Sequence, residues 1–189
     1  DPSGRELLGD LYHSLSCYDS AHKQYTAAYQ DTSSHRSLLT AKMIRNLIAM
    51  GRQEQARAFW KKSAHVLSTG NRELFEAFFS GKTEAGDQQL LNLGSLYMLA
   101  YNFENTEKCL DTGADRIEQF MEKDQKRIAL QYEKIKSYRK SFRILQQIYK
   151  KDQSAGICLI IGNNRRKAGK PDEAAAWYSR ALEVSPGEE

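Results

Sequence analysis

Histidine and cysteine, the side chains most able to bind a metal or act as nucleophiles, are few in this chain. His13 and Cys17 lie one helical turn apart, a spacing that lets two side chains reach the same ion. A tetrahedral site needs further ligands, and the other histidines fall on other turns or in other segments. Cys109 and Cys158 are far from Cys17 and from each other, with no C-x-x-C spacing. We therefore predict neither a metal site nor a disulfide framework.

A partial phosphate-loop pattern occurs near the end of the chain, at Gly162 and Gly169-Lys170. The spacing between the two glycines is longer than the G-x-x-x-x-G-K-[ST] loop requires, and no Ser or Thr follows the lysine. The sequence also lacks an H-E-x-x-H zinc motif, a G-x-S-x-G nucleophile elbow and a Gly-rich dinucleotide-binding turn. The sequence therefore predicts a protein that is not an enzyme and that needs no cofactor.

The most informative polar stretch spans residues 123–151. Ten Lys and Arg alternate there with Tyr132, Tyr138, Phe142 and Tyr149. Such a stretch can bind nucleic acid through phosphate contacts and stacking, or it can simply be a solvated helix face. Three of its aromatic residues fall where helices need packing residues, which leaves few rings to stack on bases. Between a nucleic acid and an acidic peptide, the pattern favours the peptide.

The composition predicts helices throughout. The chain has 189 residues, only three prolines, and many Ala, Leu, Glu, Lys, Gln and Arg. No alternating run rich in Val, Ile and Thr indicates a sheet. The net charge of +4 is local, since residues 122–189 carry 15 Lys and Arg against 9 Asp and Glu. An all-α fold with a basic second half is expected.

Hydropathy and cysteine usage bear on the cellular compartment of the protein. Lys42 and Arg45 interrupt the most apolar helical segment, so no membrane span is predicted. Unpaired cysteines are typical of a reducing environment. We expect a cytoplasmic protein.

The chain repeats a helix-break-helix pattern with a period of about 34 residues. Small residues at equivalent positions after each break are separated by 35, 50, 35 and 33 residues. These residues are Ala21, Ala56, Thr106, Ser141 and Ala174. The one long interval indicates an insertion at residues 71–86.

The insertion has a helical pattern of its own. Leu74, Phe75, Phe78 and Phe79 are spaced as on one face of a helix, and Ser80-Gly81 is a stop signal. We predict one short helix that fills a packing gap between the second and third units.

The repeated motifs resemble the tetratricopeptide repeat family, whose signature is W-x-x-L-G-x-x-Y, then A-x-x-x-F, then A and P. Leu8-Gly9-x-x-Tyr12 and Leu93-Gly94-x-x-Tyr97 carry the first part, and the last unit keeps the proline as Pro186. The resemblance implies an all-α, right-handed solenoid of five antiparallel helix pairs with one inserted helix, in a single domain over residues 1–189. The five units are residues 2–35, 37–70, 87–120, 122–155 and 155–188.

Within that framework, the small residues Gly9, Gly94 and Ala174 are predicted where two helices cross, because a small residue lets the helix axes approach closely. The first helix of each pair is expected to line a concave groove. The resemblance thus implies a non-catalytic protein-interaction module that binds a peptide or protein partner, acting as scaffold, adaptor, chaperone or regulatory domain. The alternative is a nucleic-acid-binding array centred on residues 123–151.

The hypothesis for the site is a positively charged groove that binds an acidic partner. Side-chain amides in the groove would form hydrogen bonds with the backbone of the partner. The predicted contact residues are Lys42, Arg45, Asn92, Lys123, Lys126, Arg127, Asn163 and Lys167.

Overall fold

A computed structural model describes residues 2–31 and 35–185 of the chain. In these residues the secondary structure is helical, with no strand, which confirms the all-α prediction. The helices are α1 (Pro2–Ser14), α2 (Tyr18–Asp31), α3 (Arg36–Ala49), α4 (Gln53–Ser63), α5 (Thr69–Ser80), α6 (Asp87–Leu99), α7 (Phe103–Ala114), α8 (Glu122–Lys134), α9 (Tyr138–Tyr149), α10 (Ala155–Lys167) and α11 (Pro171–Val184). Pro186 lies outside the described residues.

These helices follow the predicted order of five pairs and one insertion. The pairs are α1–α2, α3–α4, α6–α7, α8–α9 and α10–α11, with α5 inserted after the second pair. By their internal contacts the helices form two compact units, Asp1–Thr106 and Glu107–Glu189. The expectation of a single domain over residues 1–189 stays a prediction.

Each helix pair turns on the same arrangement of backbone hydrogen bonds. In the first pair the amide of Cys17 donates to the carbonyl of Tyr12 over 2.8 Å, and the amide of Ser16 donates to the carbonyl of His13 over 3.0 Å. Together these bonds form a Schellman motif, which satisfies carbonyls left unpaired at a helix end. The same two bonds recur after α3, α6, α8 and α10. The predicted breaks are therefore helix caps of one type.

The central residue of each cap has a left-handed backbone. The φ angles are 59° at Ser16, 73° at Gly51, 56° at Tyr101, 62° at Lys136 and 74° at Gly169. These five residues are separated by 35, 50, 35 and 33 residues, the same intervals as the sequence repeat. Only two of the five are glycine, the residue that tolerates this conformation without a steric cost.

The core of the first unit is built on a close approach between α1 and α2. A side-chain carbon added at Gly9 would lie 2.5 Å from Cε1 of Tyr25, so the ring occupies the space that a larger residue would need. Tyr25 also belongs to a buried cluster that includes Ala28, Leu39 and Met43. This contact confirms that Gly9 sits where two helices cross.

The inserted helix α5 packs between α4 and α6. Leu74, Phe75 and Phe78 are buried, while Phe79 lies 5.3 Å from Trp60 of α4, measured between ring centroids. The side chain of Ser68 caps the start of the helix, and Gly81 ends it with a φ of 77°. The prediction of one short helix that ends at Ser80-Gly81 and fills a packing gap is confirmed, although the helix begins at Thr69 rather than at Asn71.

In the second unit the helices pack in chain order, α8 on α9, α9 on α10 and α10 on α11. The last pair repeats the geometry of the first, because a side-chain carbon at Gly162 would overlap the ring of Tyr178 in the same way. Ala174 of α11 is buried, as predicted for a crossing position.

Neighbouring pairs are also joined by buried polar side chains at one position of the repeat. Asn46 of α3 donates to the carbonyl of Tyr18, 2.8 Å away at the start of α2. Asn164 of α10 donates to Oγ of Ser141, 3.0 Å away near the start of α9. Both asparagines are fully buried, so their hydrogen bonds are needed to offset the loss of water.

Candidate binding surface

Helices α8 and α10, the first helices of the last two pairs, are joined through one buried carboxylate. Glu133 of α8 accepts from Nζ of Lys167 over 2.8 Å and from Nδ2 of Asn164 over 3.1 Å. Only 5% of the Glu133 side chain is exposed. Lys167 is thus among the predicted contact residues, but its charge is already compensated by an internal ion pair.

The three predicted cations on α8 differ in what surrounds them. Nζ of Lys126 lies 2.5 Å from a carboxylate oxygen of Glu122, one turn earlier, and 3.9 Å from Asp152. Arg127 is half-buried. Lys123 is exposed, and no carboxylate of the described residues pairs with it. Lys123 is therefore the most accessible of the three predicted cations on this helix.

On α10 the structure adds Arg166, which the sequence analysis missed, to the predicted residue Asn163. Oδ1 of Asn163 accepts a hydrogen bond from the Tyr178 hydroxyl over 3.0 Å, so the amide group of Asn163 can still donate to a ligand. Arg166, one turn after Asn163, is exposed beside Lys167. The run Arg165-Arg166-Lys167 in the sequence could have indicated Arg166 as a contact residue. Arg165 itself is buried, with its guanidinium 3.7 Å from the ring centroid of Phe142.

In the first unit the predicted cation Lys42 is held between two carboxylates of α1. Its Nζ lies 2.7 Å from Oε1 of Glu6 and 2.6 Å from Oδ2 of Asp10. Burial disfavours the charged amine, but the hydrogen bonds to Asp10 and Glu6 outweigh that effect and raise the pKa of Lys42. The hydroxyl of Tyr25 donates to Asp10 as well, over 2.8 Å. This surface of the first unit is charge-compensated.

The remaining predicted residues of the first unit are Arg45 on α3 and Asn92 on α6. Both are half-buried, and each interacts with a neighbouring group. The eight predicted residues therefore divide into three in the first unit and five in the second.

The charge balance of the units follows the same division. Residues 1–106 carry 11 Lys and Arg against 11 Asp and Glu, whereas residues 107–189 carry 17 against 13. The net charge of +4 thus belongs entirely to the second unit. An acidic ligand is attracted there rather than to the first unit.

A second polar cluster of this unit joins α7, α8 and α9. The hydroxyl of Tyr132 donates to Oδ1 of Asp111 over 2.6 Å, and Nζ of Lys140 lies 2.8 Å from the same oxygen and 2.9 Å from Glu107. Burial, reinforced by the hydrogen bond to Asp111, raises the pKa of Tyr132. The cluster borders a cleft of about 500 Å³ lined by both acidic and basic groups. Because its charges are paired internally, it has little surplus charge for a ligand.

The aromatic residues of the 123–151 stretch are largely occupied by the protein itself. Tyr132 is buried, Phe142 lies under Arg165, and the ring of Tyr149 packs edge-on against Trp177 with 4.9 Å between centroids. A nucleic acid that stacks its bases on this surface would need open ring faces. The rings are therefore better explained as packing residues.

In the described residues no three His, Cys, Asp or Glu side chains group as metal ligands. Nδ1 of His13 lies 3.0 Å from Oδ1 of Asn46, and Cys17 is exposed. None of the helices in the described ranges combines the length and the apolar character that crossing a bilayer requires.

Structural neighbours among solved proteins include two that match over nearly the whole chain. No family model and no curated protein matches the sequence. The crystal structure of TTC0263, a thermophilic tetratricopeptide repeat protein of Thermus thermophilus, is 17% identical over 100% of this chain and 93% of its own, with a TM-score of 0.49. That of MamA protein is 14% identical over 98% and 92%, with a TM-score of 0.46. At these scores neither adds to what the helix pairs themselves show.

The class of protein is defined by those helix pairs. In the described residues five pairs, each closed by the same cap at the period of the sequence repeat, make a tetratricopeptide-like all-α fold of helix hairpins. The predicted resemblance and the all-α class of five helix pairs with one inserted helix are confirmed.

Proposed function

We propose that the chain is a non-catalytic interaction module that binds an acidic peptide segment of another protein along α8 and α10. The observation that carries this proposal is the accessible charge on these two helices. Lys123 and Arg166 are exposed, while the equivalent surface of the first unit has its lysine neutralised by Glu6 and Asp10. Carboxylates of the peptide meet these cations, and the amide of Asn163 donates to its backbone.

Arg127 is the preferred anchor for a carboxylate on α8. A guanidinium can form two parallel hydrogen bonds to a carboxylate, whereas a lysine offers a single point charge. Lys126 can exchange Glu122 for a carboxylate of the ligand at little net cost, because exposed ion pairs are weak. Lys167 keeps its bond to the buried Glu133 and contacts the ligand through its remaining N–H groups. Lys42, Arg45 and Asn92 remain proposed contacts in the first unit.

The proposal is tested by reversing charge on α8. A short fluorescent peptide of Glu and Gly with a free carboxyl end, and its Gln counterpart, serve as probes in anisotropy titrations. We expect Lys123→Glu/Lys126→Glu/Arg127→Glu to abolish binding of the Glu and Gly peptide along α8 and α10 while circular dichroism and thermal unfolding are unchanged. Raised salt should weaken binding to the unmodified protein, since the Debye length falls to about 8 Å at physiological ionic strength.

A matched control keeps the number of reversed charges constant. Lys23, Lys61 and Lys62 are exposed lysines of α2 and α4, away from α8 and α10 in the chain. Their reversal to Glu should leave most of the binding intact. If both triple variants bind equally well, the α8 surface does not bind the peptide.

The nucleic-acid alternative is decided by the same titrations. A single-stranded oligonucleotide that binds more tightly than the Glu peptide, and loses binding with the α8 reversal, would favour the alternative function centred on residues 123–151. We further propose a reducing, cytoplasmic environment. The free thiols of Cys109 and Cys158 are buried and that of Cys17 is exposed, which is consistent with this proposal.

A further inference from the structure

A second cleft of the Glu107–Glu189 unit lies between α9 and α11, the second helices of the last two pairs. It is an open cleft with a volume of about 620 Å³. Its lining residues are Arg143, Gln146, Gln147, Tyr149, Lys150, Trp177 and Arg180. None of these residues belongs to α8 or α10, so the cleft is separate from the proposed peptide surface.

The charge of this cleft is of one sign. Arg143, Lys150 and Arg180 contribute three positive charges, and no carboxylate is among the lining residues. All three side chains are exposed, and in the described ranges none of them takes part in an ion pair. Arg143 also lines the neighbouring cleft beside Tyr132, where the lysine is neutralised by Asp111 and Glu107. Three cations around one cleft, with no carboxylate in its lining, favour an anionic ligand.

Two aromatic rings line the cleft, and one of the cations stacks on one of them. Trp177 and Tyr149 pack at 88° to each other and are half-buried. The guanidinium of Arg180 lies over the Trp177 ring, 4.6 Å from its centroid. Stacking of this kind restrains the arginine while leaving N–H groups at its edge for a ligand. Arg180 is therefore held ready to bind a carboxylate with two hydrogen bonds.

The same packing separates two classes of anionic partner. A single-stranded nucleic acid needs open aromatic faces for its bases, but Arg180 covers one face of Trp177 and Tyr149 packs against that ring as well. An acidic peptide needs only the cations, the amides of Gln146 and Gln147 for its backbone, and the ring edges for an apolar side chain. The arrangement fits the peptide better.

We propose that the α9–α11 cleft is a second binding site, which takes a peptide segment with carboxylates on both sides of an apolar residue. Arg180 and Arg143 bind the carboxylates, Lys150 adds long-range attraction, and the apolar residue packs against Tyr149 and Trp177. The site allows the module to hold two acidic segments, because the two surfaces share no residue.

Trp177 supplies a direct signal for binding in this cleft. The chain contains two tryptophans, so Trp60→Phe leaves Trp177 as the single emitter. A short peptide alternating Glu and Leu is titrated into this variant, with its Gln and Leu counterpart and a single-stranded oligo(dT) as comparisons. We expect a saturable change in Trp177 emission with the Glu and Leu peptide, and none with the Gln and Leu peptide or with oligo(dT).

Two double variants separate local contact from general charge. Arg143→Glu/Lys150→Glu should weaken Glu-peptide binding on the order of tenfold, since it places like charges beside the ligand. Lys136→Glu/Arg139→Glu changes the charge of the unit equally at exposed positions outside the cleft and outside α8 and α10, and should change binding on the order of twofold. Arg180→Lys keeps the charge but loses the two-point contact, and should also weaken binding.

Four results would overturn the inference. They are an equal loss in both double variants, a saturated peptide that leaves Trp177 emission unchanged, no saturable binding of the Glu peptide, and tighter binding of oligo(dT) that the cleft variant abolishes. The two proposals fail separately. If the α8 triple reversal removes all binding and Arg143→Glu/Lys150→Glu removes none, the α8–α10 site stands and the cleft does not.

Discussion

The last helix pair contains two glycines that are required for different physical reasons. Substitution of each by alanine tests both reasons. Gly162 lies inside α10 against the ring of Tyr178, whereas Gly169 caps that helix with a φ of 74° and has open space around it. Alanine at Gly162 meets a steric obstacle. Alanine at Gly169 meets a backbone conformation that it adopts at a cost.

The two costs are of similar size. At Gly162, overpacking costs about 1–3 kcal/mol, and the better helix propensity of alanine returns about 1 kcal/mol. At Gly169, the left-handed conformation costs about 1–2 kcal/mol, and the stiffer unfolded chain returns about 0.4–1 kcal/mol. We expect each variant to lose about 1 kcal/mol of unfolding free energy in urea titrations followed by circular dichroism.

A double-mutant cycle distinguishes the two causes. Tyr178→Leu replaces the rigid ring by a smaller side chain that can move away from an added methyl group. Combined with Gly162→Ala it should show a favourable coupling on the order of 1 kcal/mol, whereas combined with Gly169→Ala it should show none. Coupling at Gly169, or its absence at Gly162, would mean that the packing of α10 on α11 is not as described.

Two further predictions concern the caps and the ion pairs. Lys136→Gly should raise the urea midpoint by an amount equivalent to about 0.5 kcal/mol, because glycine relieves a left-handed residue at the cost of a more flexible unfolded chain; a lowered midpoint would contradict this. The raised pKa of Lys42 predicts a stabilising effect that is complete below pH 10.5, its ordinary pKa, and is lost as the pH rises through the higher folded value. Urea titrations should therefore show less loss of stability above pH 10.5 in Lys42→Met than in the unmodified protein, and equal losses would refute it.

The sequence was sufficient for the helix pairs because their signals are local. Gly51 and Gly169 mark two caps by residue type alone. The third and fourth caps have the left-handed residues Tyr101 and Lys136, and nothing in those two residue types indicates such a backbone. The repeat interval, applied from Gly51 and Gly169, is the sequence signal that locates both.

The candidate surfaces were harder to predict because the ion-pair partner of a charged side chain can lie in another helix pair. Lys167 and Glu133 are 34 residues apart, one repeat, so their ion pair could have been anticipated from the period. The stacking of Arg180 on Trp177 could not be inferred with that certainty. It depends on the rotamers of two long side chains, which residue spacing does not determine.

The buried asparagines have a consequence for how freely such repeats can be exchanged. Asn164 depends on the side chains of Glu133 and Ser141 in the neighbouring pair, whereas Asn46 uses the backbone carbonyl of Tyr18, which any neighbour with the same backbone supplies. The last pair placed beside a different neighbour would leave the amide of Asn164 without these partners away from water, which costs about 1–3 kcal/mol. The hairpins are thus alike in backbone, yet the last one is specific for its neighbour, and its place in the order is encoded at the interface between them.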